Sequence, residues 1–275
     1  MSVFGVDYAW GRPGVPALKE AGAKFVCRYL SHDTTGKNLT RAEAEQLSEG
    51  GLWLVVVWET MASRALAGRP GGATDAEHAA KQAQHCGMPP DRPIYFAVDF
   101  DAASRQQSAI NAYLDGVASV LGRDRVGLYA GYWPLKRAFD TEKITYGWQT
   151  YAWSGGNWDF RAQLQQYSNG HKINNVKVDY DRTVDDDYGQ WQVNRSPKPP
   201  TWPGRYITQP PVMDGADVRA WQRQMRDRGW GISVDGDYGP DSESVCRAFQ
   251  REIQLAVDGI VGPATWRAAW DAPVI

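Results

Sequence analysis

Cysteine is scarce in this 275-residue chain. Cys27, Cys86 and Cys246 are far apart, and no C-x-x-C pair occurs. A disulfide framework and a cysteine-built zinc site are therefore excluded, and buried free thiols are expected where Cys27 and Cys86 fall in apolar segments. Surplus positive charge is also missing. Thirty Lys and Arg face 32 Asp and Glu, whereas a protein that neutralises phosphates carries a basic excess, so nucleic acid is set aside as a partner. No hydrophobic run is long. Leu52 to Trp58 is the longest and cannot span a bilayer, so membrane insertion is set aside too. The opening Met1-Ser2-Val3-Phe4-Gly5-Val6-Asp7 has neither a basic n-region nor an apolar h-region, so cytoplasmic synthesis without a signal peptide is expected. Histidine numbers only four. His78 and His85 share a helix without a third ligand, so no metal and no cofactor is expected. Phenylalanine is the scarce aromatic: 7 Phe against 13 Trp and 13 Tyr. Phe fills cores, whereas Trp and Tyr join a flat face to a polar handle, so surfaces that stack on a ligand are expected.

What is present divides the chain. Four prolines fall within Ser196-Pro197-Lys198-Pro199-Pro200-Thr201-Trp202-Pro203-Gly204, a composition that favours extended backbone over a packed core. Residues 1–194 are read as one domain, 195–211 as a linker and 212–275 as a second domain. In the first, apolar runs alternate with amphipathic stretches. Strands are predicted at Val3–Asp7, Lys24–Leu30, Leu52–Trp58, Ile94–Val98, Val126–Ala130, Tyr146–Trp153, Gln163–Tyr167 and Val176–Tyr180. Helices are predicted near 16–22, 40–50, 74–87 and 104–121, the second and third opening on the capping patterns Thr40-Arg41-Ala42-Glu43 and Thr74-Asp75-Ala76-Glu77. Such alternation predicts an α/β fold with a parallel sheet, and eight strands in this length fit a (β/α) barrel that is irregular in its last third. A doubly wound open sheet is the rival, but no G-x-G-x-x-G follows the first strand.

The tail repeats itself. Val234-Asp235-Gly236-Asp237-Tyr238-Gly239-Pro240-Asp241-Ser242 is echoed by Val257-Asp258-Gly259-Ile260-Val261-Gly262-Pro263-Ala264-Thr265. Asp-Gly makes a turn and Gly-Pro opens the next helix, so a small three-helix, all-α domain is predicted.

A parallel barrel presents its site at the carboxyl ends of its strands. Acids stand there on four strands: Asp7, Glu59, Asp99 with Asp101, and Asp179 with Asp181. Residues two apart share a strand face, so Asp99 and Asp101 are expected to point together. Crowded carboxylates cannot all ionise, which leaves a proton donor beside a charged neighbour. Glycoside hydrolysis needs that pairing. The aromatics Tyr8, Trp10, Tyr129, Tyr132, Trp133, Trp148, Tyr151, Trp153 and Tyr167 lie in or just after strands, where they can stack on sugar rings, although about half are expected to fill the core. Neither G-x-S-x-G nor a Cys/His nucleophile pair occurs.

Gly5-Val6-Asp7-Tyr8, Ile94-Tyr95-Phe96-Ala97-Val98-Asp99-Phe100-Asp101, Gly127-Leu128-Tyr129-Ala130-Gly131-Tyr132, Trp148-Gln149-Thr150-Tyr151-Ala152, Leu164-Gln165-Gln166-Tyr167 and Val178-Asp179 follow the order seen in family 25 glycoside hydrolases, the muramidase lysozymes. Over residues 1–192 the chain resembles more closely a sister group, the glycoside-hydrolase-like domains catalogued as domain of unknown function 1906. That resemblance puts Asp7, Asp99, Asp101 and Asp179 at the acidic positions of a muramidase site. It makes Tyr8, Trp10, Tyr129, Tyr132, Trp148, Gln166 and Tyr167 candidates for substrate binding. One departure stands out: muramidases carry D-x-E on strand four, and this chain has Asp99-Phe100-Asp101. Either Asp101 donates the proton from a shorter side chain, or Glu59 donates it, or hydrolysis is weak or lost.

Over residues 212–271 the tail resembles the three-helix peptidoglycan-binding domain, through Val218-x-x-Trp221-Gln222, the repeat and Ala248-Phe249-Gln250. Asp235, Tyr238 and Trp221 are its candidate wall contacts. The resemblances imply a monomeric, endolysin-like peptidoglycan hydrolase cleaving glycan strands of the wall, reached after phage-type lysis or by non-classical export. A lectin-like glycan binder is the alternative, and a wall amidase a third.

Overall fold

A computed structural model of the chain describes residues 2–193 and 201–272. The backbone forms two compact units, residues 1–197 and 198–275. Of the linker expected over 195–211, residues 195–200 lie outside those described. Residues 201–211 fold onto the second unit, where buried Ile207 pairs with Val261.

In the first unit, eight strands close a barrel in sequence order: β1 Phe4–Asp7, β2 Phe25–Leu30, β3 Trp53–Trp58, β4 Ile94–Ala97, β5 Val126–Ala130, β6 Tyr146–Thr150, β7 Leu164–Ile173 and β8 Val176–Thr183. The helices are α1 Val15–Glu20, α2 Arg41–Glu49, α3 Gly68–His85, α4 Gln107–Leu121 and α5 Tyr132–Asp140. Period-two burial separates two layers. Phe25, Cys27, Val55, Val57, Tyr95, Trp148 and Leu164 fill the interior. Val6, Val26, Leu54, Val56, Phe96 and Leu128 face outward onto Leu18, Leu47, Ala79, Ile110 and Leu135 of the helices.

The sheet is mixed, not parallel throughout. Strands β1 to β7 run parallel, but β8 is antiparallel to both β7 and β1. Only Asn174 and Asn175 join β7 to β8, both left-handed at φ 48° and 63°. Two residues suffice for a hairpin with a primed turn, and no parallel crossover is that short.

Two helix predictions also change. Thr74-Asp75-Ala76-Glu77 lies inside α3, which begins at Gly68. Buried Asp75 is held by Arg64 through bonds of 2.8 and 2.9 Å and by the Tyr113 hydroxyl at 2.7 Å. Helix α5 falls between strands where no helix is predicted; Pro134 stands in its first turn, where a helix tolerates proline. Thr40 does cap α2, accepting from Glu43 N, but the Glu43 side chain turns to Arg28 and Tyr8.

The second unit holds α6 Ala216–Asp227, α7 Pro240–Glu252 and α8 Pro263–Asp271, with a ribbon of β9 Met213–Asp214 against β10 Asp237–Tyr238. The sequence repeat is a repeated staple. Gln222 donates to Asp235, to the Asp237 carbonyl and to Ser242, and accepts from Gly236 N. Gln250 does the same with Asp258, Ile260, Thr265 and Gly259. Trp221 and Tyr238 are fully buried in the core of this unit, and the Asp235 carboxylate is spent on the staple. All three were expected to contact the wall; burial withdraws Trp221 and Tyr238 from it, whereas Asp235 stays exposed, its Oδ1 bonded within the staple.

Candidate functional site

A cavity of about 320 Å³ opens at the carboxyl ends of β1 to β6, lined among others by Trp10, Tyr29, Lys37, Glu59, Asp99, Tyr129, Thr150, Trp153, Gln166, Asn169 and Asp179. Four strands thus bring together Glu59, Asp99 and Asp179, with Asp7 just beneath the floor. Asp179 belongs here although β8 is reversed, because it sits directly opposite Asp7 in the β1–β8 register. Its Oδ1 accepts from Gly170 N at 2.9 Å.

Glu59 continues β3, its N–H bonding Leu30 O. Its carboxylate pairs with Lys37 Nζ at 2.6 Å. Lys37 comes from the loop after β2, where Asp33 accepts its N–H and Arg28 bonds its carbonyl. Its ammonium lies 4.6 Å from the Tyr29 ring centroid and 5.8 Å from that of Trp10. Burial, and then the charge of Glu59, push the Asp99 carboxyl above its ordinary range, while Lys37 pulls the other way. Asp99 thus takes up a proton more readily than an ordinary carboxylate and stands beside an ion-paired one.

Asp7 is 3% exposed and does not line the cavity. Tyr29 donates to its Oδ1 at 2.9 Å and Gln166 to its Oδ2 at 2.8 Å. Burial, and then Asp179, push its carboxyl up to about 6. Gln166 accepts in turn from the hydroxyls of Tyr129 and Thr150 at 2.9 and 2.8 Å. The floor is therefore one hydrogen-bonded network.

Asp101 is exposed and off the cavity. Strand β4 ends at Ala97, so the two-residue alternation expected to align Asp101 with Asp99 has already lapsed. Four of the candidates for substrate binding also lie elsewhere. Tyr8 follows the inward Asp7, so it turns out of the barrel to Glu43 and Arg28. Trp148 points inward but too deep, 1% exposed, with its indole N–H on Asp181 at 2.8 Å. Tyr167 faces out against Arg182 and Tyr180. Tyr132 opens α5 against Trp133.

Trp10 and Trp153 remain as exposed rings of the cavity wall, 61% and 42% accessible. Trp153 is held left-handed at φ 56°, conformational strain of a kind that collects at functional sites. Tyr29, Lys37, Thr150 and Asn169 were not anticipated. Lys37 stands in a loop with no periodic signal, and Thr150 was legible only as the inward neighbour of Gln166. Among the described residues, no group of three or more His, Cys, Asp or Glu could hold a metal ion. No helix there is long and apolar enough to cross a membrane.

Residues 16–188 match the model described as Rv2525c-like, glycoside hydrolase-like domain. The chain belongs to that family. Residues 214–269 match the "Putative peptidoglycan binding domain". The chain is 28% identical over 199 residues to the "Putative peptidoglycan hydrolase Rv2525c" of Mycobacterium tuberculosis, covering 68% of this chain and 82% of that one. The crystal structure of that Tat-secreted protein with L-tartrate aligns at a TM-score of 0.66 and 28% identity, over 68% of this chain and 98% of the other. An uncharacterised B. stearothermophilus protein aligns at 0.50 and 18%, over 65% and 94%, a likeness of fold alone. The family's glycoside-hydrolase-like domain is the barrel that carries the acidic cavity, and the peptidoglycan-binding match covers the stapled three-helix unit.

Proposed function

We propose that the protein is a peptidoglycan hydrolase whose barrel cleaves a glycosidic bond of the wall glycan, with the C-terminal unit holding it on the wall. The observation that carries this reading is the pairing in one cavity of Asp99, raised by burial and Glu59, with Asp179, between two accessible indole rings. Asp99 protonates the leaving glycosidic oxygen. Asp179 is the counter-carboxylate for the positive charge that develops at the sugar carbon; water adds to that carbon and its proton returns to the Asp99 carboxylate, which leaves a new reducing end. Burial, and then the charge of Glu59, favour the proton on Asp99, and Glu59 also anchors Lys37. The indoles of Trp10 and Trp153 stack on flanking sugar rings. The relative's name supports peptidoglycan as the substrate, as does the binding-domain match.

The test uses purified Gram-positive walls and measures released reducing ends and free amines. Wild type should release reducing ends. Asp99→Asn and Asp179→Asn should each lose about 10²- to 10⁴-fold, while Asp101→Asn should change little. Free amines in place of reducing ends would make the protein an amidase or peptidase. One observation favours a non-catalytic, lectin-like reading: Asp101 stands outside the cavity, so the strand-four motif offers it one carboxylate. Wall binding with neither product would establish that alternative.

A further inference from the structure

Beneath the cavity floor lies an acid that the proposed chemistry does not use. Asp181 points into the barrel from β8 and is wholly buried. Its cross-strand partners are Gly5 on β1 and Gln166 on β7. Oδ1 accepts from the Trp148 indole at 2.8 Å. Oδ2 is buried without a donor, and the carboxyl lies within hydrogen-bonding reach of Asp7. Two carboxyl groups buried in the same barrel interior on neighbouring strands cannot both be charged. The hydrogen bonds decide which one is. Asp7 accepts from two donors, Tyr29 and Gln166, whereas Asp181 accepts from one. Negative charge is better satisfied on Asp7, and the proton belongs on Oδ2 of Asp181.

We propose that Asp181 is a permanently protonated positioning residue that donates a hydrogen bond to Asp7, and that this buried acid pair sets the orientation of the cavity floor. With Asp7 kept an acceptor, the Gln166 amide nitrogen must face it. The Gln166 oxygen is occupied by the hydroxyls of Tyr129 and Thr150, so one amide hydrogen is left for the cavity that Gln166 lines. Tyr29, also lining it, spends its hydrogen on Asp7 and offers its oxygen. The ionisable groups that share the interior with the pair are Asp179, Cys27, Tyr29 and Tyr129, all acids. Lys37, the cation lining the cavity, is ion-paired with Glu59. Burial, and then Asp7, push the Asp181 carboxyl well above the ordinary range, in agreement with this assignment.

The role in orienting the floor rests on the hydrolase reading; the proton on Asp181 does not. The experiment therefore has two readouts on the full chain, comparing wild type with Asp181→Asn and Asp181→Ala. The first is the thermal midpoint from pH 4 to pH 7. An acid neutral when folded and ionised when unfolded binds its extra proton in the folded state. Its stabilisation is complete below the unfolded pKa of about 3.9 and is lost as pH rises towards the folded value. Asparagine has no proton to lose, and its amide can still donate to Asp7. The midpoint of Asp181→Asn relative to wild type should therefore climb steadily from pH 4 to pH 7. The second readout is wall hydrolysis. Asp181→Asn should stay within about threefold of wild type, while Asp181→Ala should fall by about 10²-fold through loss of placement. A midpoint difference that is flat or falls with pH would show an ionised Asp181 and overturn the proposal. A folded Asp181→Asn as impaired as Asp181→Ala would overturn the positioning role. A wild type inactive on every wall would sink the hydrolase reading, and the midpoint comparison would still decide the proton. If Asp181→Ala fails to fold, the Asn comparison stands alone.

Discussion

At the scale of the residue, the cavity is a balance between acids and one lysine. Lys37 sits 2.6 Å from Glu59, and its charge opposes the rise of Asp99. Removing that charge while keeping the stem should therefore raise the Asp99 carboxyl further. A general acid works only while protonated, so activity falls as pH rises through its pKa. Lys37→Met should move that alkaline fall to higher pH, read as the pH profile of reducing-end release. A fall that moves to lower pH would take the proton-donor role away from Asp99. Sequence showed the acids because each follows an apolar strand. It did not show Lys37, whose place depends on Asp33 and Arg28 fixing a loop without periodicity. Parity explains the aromatic errors. Tyr8 adjoins the inward Asp7 and so faces out, and Trp148 faces in but lies a layer too deep.

At the scale of the element, glycine decides how closely two helices approach. A Cβ on Gly72 of α3 would lie 1.9 Å from the Tyr113 carbonyl oxygen of α4, and one on Gly116 of α4 would lie 2.1 Å from the Arg69 carbonyl oxygen of α3. Both obstacles are backbone, which cannot rotate away. Gly72→Ala should therefore destabilise by about 2–3 kcal/mol through overpacking, despite alanine's better helix propensity. The urea midpoint measures it, and a variant as stable as wild type would mean that the helices can part cheaply. This close approach also explains why the start of α3 was misread. Glycines at 68, 71 and 72 look like a loop, and the Thr74 motif like a cap, until the facing helix is known. The reversal of β8 has its signal in Asn174-Asn175, since Asn-Asn between two strand-forming runs is hairpin chemistry.

At the scale of the whole molecule, balanced charge and a divided chain work together. Each unit carries its own hydrophobic core, Val26, Leu54 and Phe96 among others in the barrel and Trp221, Tyr238 and Phe249 in the tail. The tail's repeat was readable because the Asp-Gly turn and the hydroxyl of each staple keep one spacing, Asp235 to Ser242 and Asp258 to Thr265, while the glutamine that joins them comes from the preceding helix at a different distance in each copy. What the tail binds was not readable from it, since the conspicuous aromatics Trp221 and Tyr238 are spent on the core. Under the hydrolase reading, the tail raises the concentration of the barrel at an insoluble wall and adds nothing to the chemistry. A chain ending at residue 197 should therefore turn over soluble glycan fragments at the wild-type rate. On intact walls at low enzyme concentration it should lose about 10²-fold, the lower end of the gain expected from tethering. Adding the tail as a separate chain should not restore the loss, because tethering acts only through a covalent link. Equal loss on soluble fragments and on walls would mean that the tail acts on the cavity itself, and the effective-concentration account would then fail.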